Sequence, residues 1–383
     1  MRQNRATIYM AGFLFYIPIA LSSYINSSFM SSFVGEKLVG IVYIFGSICS
    51  IFALLLAPKI FKKIGGYRFL LLIILFDAIS FLILALTNNT PSIILMFVLG
   101  FSMNTLLIFS LDEILKIFSN SSATGKTRGM YMAICNLAWI FAQFASGTFL
   151  GGFSFRTIYF ISFSVMILLL IISFFKLRTI PDPNYDKMGT LKYMRKFFQS
   201  KNLSRAYILS FLIQFFFCWM VIYTPIYLHN YIGFSWKEIG IIFAIMLLPF
   251  SIIPFHLGKY ADKVGERSLL MIGFTIAGLS TLSLFFINTP VLWIWALFLF
   301  LTRVGASTIE IMSDAYFFKH IKPENEEFIG VYRSASPVAY ILGPVIASLL
   351  IIFIPSFNFI YIILGTILLY GVYLSSKIKK SDI

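Results

Sequence analysis

Long apolar runs alternate with short polar breaks along almost the whole chain. A helix needs about 20 mostly apolar residues to cross the hydrocarbon core of a bilayer. By that rule the pattern predicts about twelve spanning helices. They fall over 7–30, 37–57, 68–87, 91–112, 129–151 and 156–175, then over 204–228, 236–257, 268–287, 290–312, 327–350 and 356–376. The longest break is polar and holds Pro181 and Pro183. It divides the chain into a six-helix bundle over 1–175, a connecting loop over 176–203 and a second six-helix bundle over 204–383. The expected fold class is an all-α membrane protein.

Composition agrees, with 59% hydrophobic and 12% charged residues where a soluble chain carries about a quarter charged. The net charge of +15 raises the question of a nucleic-acid partner. Position decides against one. Lys37, Arg156 and Lys237 fall in loops on one side and Arg303 inside an apolar run; the remaining Lys and Arg gather on or near the other side. That is a positive-inside distribution, so the charge excess orients the protein in a lipid bilayer. An even number of spans puts both termini on one side. Arg2 and Arg5 at the start, with Lys377, Lys379 and Lys380 at the end, mark it as the cytoplasmic side. The charged start before an apolar run resembles a signal peptide, but the run is long, contains Pro18 and is followed by many others. It is expected to be a retained first helix.

Cys49, Cys135 and Cys218 lie within separate apolar runs and give neither a disulfide framework nor metal-ligand spacing. No metal and no cofactor is expected. Residues 191–198 mix Lys192, Arg195 and Lys196 with Met194, Phe197 and Phe198. They fit an amphipathic helix on the inner leaflet or, as readily, a solvated linker.

The most informative polar stretch is Gly258-Lys259-Tyr260-Ala261-Asp262-Lys263-Val264-Gly265-Glu266-Arg267, between two apolar runs. Gly258 and Gly265 are expected to make the tight turns of a hairpin. The pattern Gly258, Asp262, Lys263, Gly265 and Arg267 resembles the signature loop of the major facilitator superfamily. An echo follows the second predicted helix, where Lys59, Lys62, Lys63, Gly65 and Arg68 keep the basic residues and the later glycine while Pro58 and Lys62 replace the first glycine and the aspartate. Gly129-Met130-Tyr131 against Gly330-Val331-Tyr332, and Asp112 against Asp314, are further echoes in register. Parallel six-helix repeats are what that superfamily shows. The resemblance covers nearly the whole chain. It implies two pseudo-symmetric bundles, alternating access around a mid-membrane site, a bacterial plasma-membrane location and a monomer. It also implies that Asp262 caps the fifth helix near Thr127 in the outward-facing state. Residues 147–152, Gly-Thr-Phe-Leu-Gly-Gly, resemble the drug–proton antiporter branch with Thr148 in place of proline, and Gly343-Pro344 keeps the other part of that signature. Gly125-Lys126-Thr127 is not a phosphate loop, because Asn120 stands where the first glycine is required and apolar helices flank it.

Ionisable residues inside spans are expensive and are functional candidates by default. Arg303 and Glu310 lie seven residues apart in the tenth predicted helix, on one face and about 10 Å apart along the axis. Asp314 follows one turn further. The resemblance implies that the tenth helix lines the central cavity and that Arg303 and Glu310 face it; a structural ion pair is the alternative. Asp77 sits in the middle of the third predicted helix, either as a proton site or as a bridge between helices. Asn136, Trp139 and Gln143 share one face of the fifth, with Asn104 in the fourth and Gln214 in the seventh. Such residues contact substrate or serve only to hold helices together.

The expected activity is secondary active transport of a small molecule, most simply proton-coupled efflux with Glu310 as the proton carrier. One alternative is uptake of a sugar or organic acid by symport, with Arg303 gripping an anion; another is a non-transporting membrane scaffold or receptor. No nucleophile–base pair is visible in the loops, so an enzyme is not expected.

Overall fold

The computed structural model describes residues 2–117, 124–178, 192–321 and 328–378. Signature positions Gly258, Asp262 and Lys263, together with Asp112 and 127–129, lie outside the described residues except for their helical backbone. The chain divides into two compact units, Met1–Asp186 and Lys187–Ile383. The first contains α1 (Arg2–Ser23), α2 (Asn26–Val34), α3 (Glu36–Ile64), α4 (Gly66–Leu86), α5 (Thr90–Ile117), α6 (Thr124–Leu150) and α7 (Phe155–Lys176). The second contains α8 (Lys192–Gln199), α9 (Lys201–Ile226) continued by a π-helical turn (Tyr227–Ile232), α10 (Trp236–Val264), α11 (Glu266–Leu284), α12 (Leu292–His320), α13 (Phe328–Arg333), α14 (Ala335–Phe353) and α15 (Phe359–Ser376). Among the described residues ten helices are long and apolar enough to cross a membrane, or eleven if α1 and α2 count as one bent span. The remaining expected span falls on α6, whose described apolar part is the shorter Ile134–Leu150.

The units repeat one packing scheme. In the first, α1 lies against α6 and α7, α3 against α5, and α4 against α5 and α7. In the second, α9 lies against α14 and α15, α10 against α12, and α11 against α12 and α15. The weak echoes in the sequence correspond to this repetition.

Three expected boundaries move. The first span is broken at Tyr24–Ile25 and bends by 43°. Just before the break, Ser22 and Ser23 donate their hydroxyls back to the carbonyls of Pro18 and Ile19, at 2.9 and 2.5 Å, a type of bond that bends helices. The eleventh span is interrupted at Ser334, whose hydroxyl takes the Val331 carbonyl at 2.6 Å. The signature, finally, is not a hairpin loop with two turn glycines. α10 continues helically through Gly258 to Val264, and the turn falls on Gly265 alone, at φ 79°. Cations at Lys259 and Lys263 suit the C-terminal turns of a helix. Glycine tolerates the positive φ that ends it. The first unit does the same thing at Gly65, at φ 82° between α3 and α4.

Candidate functional site

A group of charged side chains lies along α12. Arg303 is buried, at 1% exposure. Its guanidinium stands over the rings of Phe216 and Phe217 from α9, 4.9 and 5.5 Å from their centroids. Ring faces attract a desolvated cation, so these two phenylalanines hold the charge at depth. Gln214 is half-buried one turn earlier on α9.

Glu310 is half-buried two turns along α12 and makes no hydrogen bond or ion pair among the described residues. Asp314, one turn further, is bonded through both carboxylate oxygens. It accepts from Tyr332 Oη at 2.8 Å and from Arg333 Nη2 at 3.0 Å and Nη1 at 3.4 Å. Tyr332 is fixed in turn by stacking on Phe317, with centroids 4.0 Å apart and rings 5° from parallel. Asp314, Arg333 and Arg303 act electrostatically on Glu310. Of the two arginines, the spacing along α12 pointed to Arg303, because Arg333 reaches Glu310 only through the fold.

A second charged contact lies at the Gly265 end of the unit. Glu266, the first residue of α11, is buried at 3% exposure and pairs with Lys319 near the end of α12. Its other carboxylate oxygen has no hydrogen-bond partner among the described residues. An acid at a helix N-terminus is stabilised by the dipole, and the one residue between the signature's Gly265 and Arg267 was the available signal. Lys319→Ala is expected to destabilise the protein by about 2 kcal/mol, since it strands a buried anion. The figure is modest because Lys319 is half-exposed and its charge is screened. Adding Glu266→Gln should recover most of the loss in thermal unfolding, whereas additive losses would mean that the pair does not act as a unit.

In the first unit Asp77 is fully buried on α4. It faces α5, where a Cβ added at Gly100 would lie 3.5 Å from its Oδ1. Neither carboxyl oxygen has a hydrogen-bond partner among the described residues. The Asn104 side-chain oxygen is likewise buried without one. Gln143 donates to the Ala20 carbonyl of α1, close to the break in that span, and Trp139 meets Tyr24 edge-on at 6.3 Å. Asn136 is half-buried on the same helix. Trp139 and Gln143 thus come together against α1, while Asp77 meets α5 at Gly100, one turn from Asn104.

The sequence profile described as Major Facilitator Superfamily matches residues 6–302 and, again, 225–379. The chain belongs to the Major Facilitator Superfamily.

Solved structures share the fold of this Major Facilitator Superfamily protein at low sequence identity. It is similar to the nucleoside transporter NupG, with TM-score 0.78 and 13% identity over 98% of this chain and 100% of the other. It is similar to the POT family transporter PepTSo, with TM-score 0.80 and 12% identity over 98% and 97%. The human organic anion transporter MFSD10 gives TM-score 0.70 and 13% identity over 98% and 99%. No curated protein sequence matches the chain. The protein is a multi-pass membrane transporter of a small substrate.

Proposed function

We propose that this Major Facilitator Superfamily transporter exports a small organic compound in exchange for protons, from a plasma membrane in which both termini face the cytoplasm. The observation that supports this reading is the contrast along α12. Glu310 lies within a span and has no hydrogen bond or ion pair among the described residues, while Asp314, one turn away, is bonded through both carboxylate oxygens. An acid without a hydrogen bond or ion pair can exchange a proton without first breaking one, whereas Asp314 would have to release Tyr332 and Arg333. Arg303 supplies a fixed cation two turns away, suited to an anionic or polar part of the substrate. Asp77, without a hydrogen-bond partner in the first unit, is the second candidate for proton handling. Asn104, Asn136 and Gln214 are candidates for substrate contact.

The test is reconstitution in liposomes that enclose a pH-sensitive dye. Pooled lipophilic cations, sugars, and organic and amino acids are added to wild type and Glu310→Gln. The expected result is proton movement evoked by one pool and absent from the variant. Proton movement that persists in Glu310→Gln would remove Glu310 as the carrier.

The competing reading is symport of an anionic nutrient gripped by Arg303. The burial of that guanidinium on two rings favours it, and one structural neighbour is an organic anion transporter. Under that reading Arg303→Gln would abolish uptake of radiolabelled organic acids, while Glu310→Gln would leave its pH dependence in place. A scaffold would move none of the compounds.

A further inference from the structure

The short helix before α9 presents a surface outside the candidate site. α8 is joined to α9 through Ser200 alone, whose side chain accepts from the Leu203 N–H at the start of α9. It is pinned by Phe197, which is completely buried among Tyr207 of α9, Phe317 of α12 and Phe328 of α13, with centroids 6.2, 6.3 and 5.6 Å away. An eight-residue helix has little stability alone, so this plug fixes both its presence and its orientation.

The remaining side chains follow from 100° per residue. With Phe197 facing the protein, Met194 and Phe198 lie about 60° and 100° around the helix, on one flank. Both are exposed, at 36% and 42%. By the same count Arg195 borders this strip at about 160°, whereas Lys196 lies about 100° round the other way, beyond Phe197; both are exposed. The ammonium of Lys196 additionally leans toward the Phe328 ring at 5.8 Å. Lys201 opens α9, exposed, and two turns further the exposed Ile208 continues its face along a span. The bilayer boundary that α9 crosses therefore runs past α8. No Asp or Glu occurs between Lys187 and Arg205. A strip with apolar residues beside the hydrocarbon and cations above it matches a lipid whose headgroup is negative.

We propose that α8 and the first turn of α9 form a binding site for anionic phospholipid, with Met194 and Phe198 against the acyl chains and Arg195 and Lys201 on the headgroup. The full chain is purified and incubated with phosphatidylglycerol or phosphatidylcholine, and retained lipid is counted by native mass spectrometry. Wild type is expected to retain phosphatidylglycerol preferentially. Each cation removed should weaken that preference about fivefold, so that Arg195→Gln/Lys201→Gln loses about 25-fold. The charge-keeping Arg195→Lys/Lys201→Arg should retain it. Met194→Glu, at an exposed position outside the Phe197 plug, should reduce retention without altering thermal unfolding in phosphatidylcholine, which keeps the test decisive if the double variant does not fold. Equal retention of the two lipids by wild type, or an unchanged preference in the neutralised and Met194→Glu variants, would overturn the proposal.

Discussion

Gly305→Val is expected to prevent the second unit from folding. Gly305 lies two residues beyond Arg303, where α12 meets α11. A Cβ there would lie 2.5 Å from both the Ala277 nitrogen and the Gly273 oxygen. Both are backbone atoms, which cannot turn aside as a flexible side chain would. The two helices would have to separate along their length and lose the contacts of a closely packed interface. Overpacking a core ordinarily costs about 1–3 kcal/mol; a clash with backbone should exceed that, at about 4 kcal/mol or more. Gly305→Ala should show most of the effect, since the first added carbon already collides. Gly152→Ala is the matched control, because a Cβ there meets nothing within 4 Å. Yield and thermal unfolding of the purified protein decide the matter; a Gly305→Val protein as stable as wild type would rule out this packing.

Glu310→Gln is expected to remove accumulation driven by a pH gradient while substrate exchange continues. Glutamine keeps the size and polarity of a protonated glutamate and has no proton to release. Exchange of substrate for substrate requires no proton release, so it should run at a rate close to wild type. Net transport against a gradient does require it. Each pH unit across the membrane is worth about 1.4 kcal/mol for one proton carried, or about tenfold in accumulation, and that ratio should fall to one in the variant. Asp314→Asn should behave differently. It weakens the bonds from Tyr332 and Arg333, so its effect should include a lower melting temperature, which Glu310→Gln should not show. Loss of exchange together with accumulation in Glu310→Gln would mean that the residue holds substrate or structure and does not carry the proton.

What the sequence disclosed follows from physics that acts over short distances. Spans are visible because a bilayer demands long apolar runs, and the ends of α7, α9 and α15 lie within a few residues of the expected positions. Arg303, Glu310 and Asp77 stand out because a charge in such a run is conspicuous. The break near Tyr24 was less legible. Pro18 was visible, but the bend comes several residues later, where serine hydroxyls compete for carbonyls. Gly258 looked like a turn because the chain becomes polar there, yet a helix is free to continue past an apolar run. The role of Phe197 was hidden for another reason. Nothing within residues 191–198 distinguishes the phenylalanine that enters the protein from the neighbour that stays outside. Arg333 and Lys319 belong to the same class, since their partners Asp314 and Glu266 are 19 and 53 positions away in the chain.

Gly65 and Gly265 have a mechanical consequence. Each ends a helix of 29 residues, about 44 Å long, and each is the sole residue before the next helix starts. A connection of one residue has no slack to absorb motion. Rotation at such a pivot appears undiminished at the opposite end of the rod, where a tilt of about 10° sweeps about 8 Å. A small torsional change at one glycine is thus geared up into displacement at the far membrane face, within a single unit and without unfolding any turn of helix.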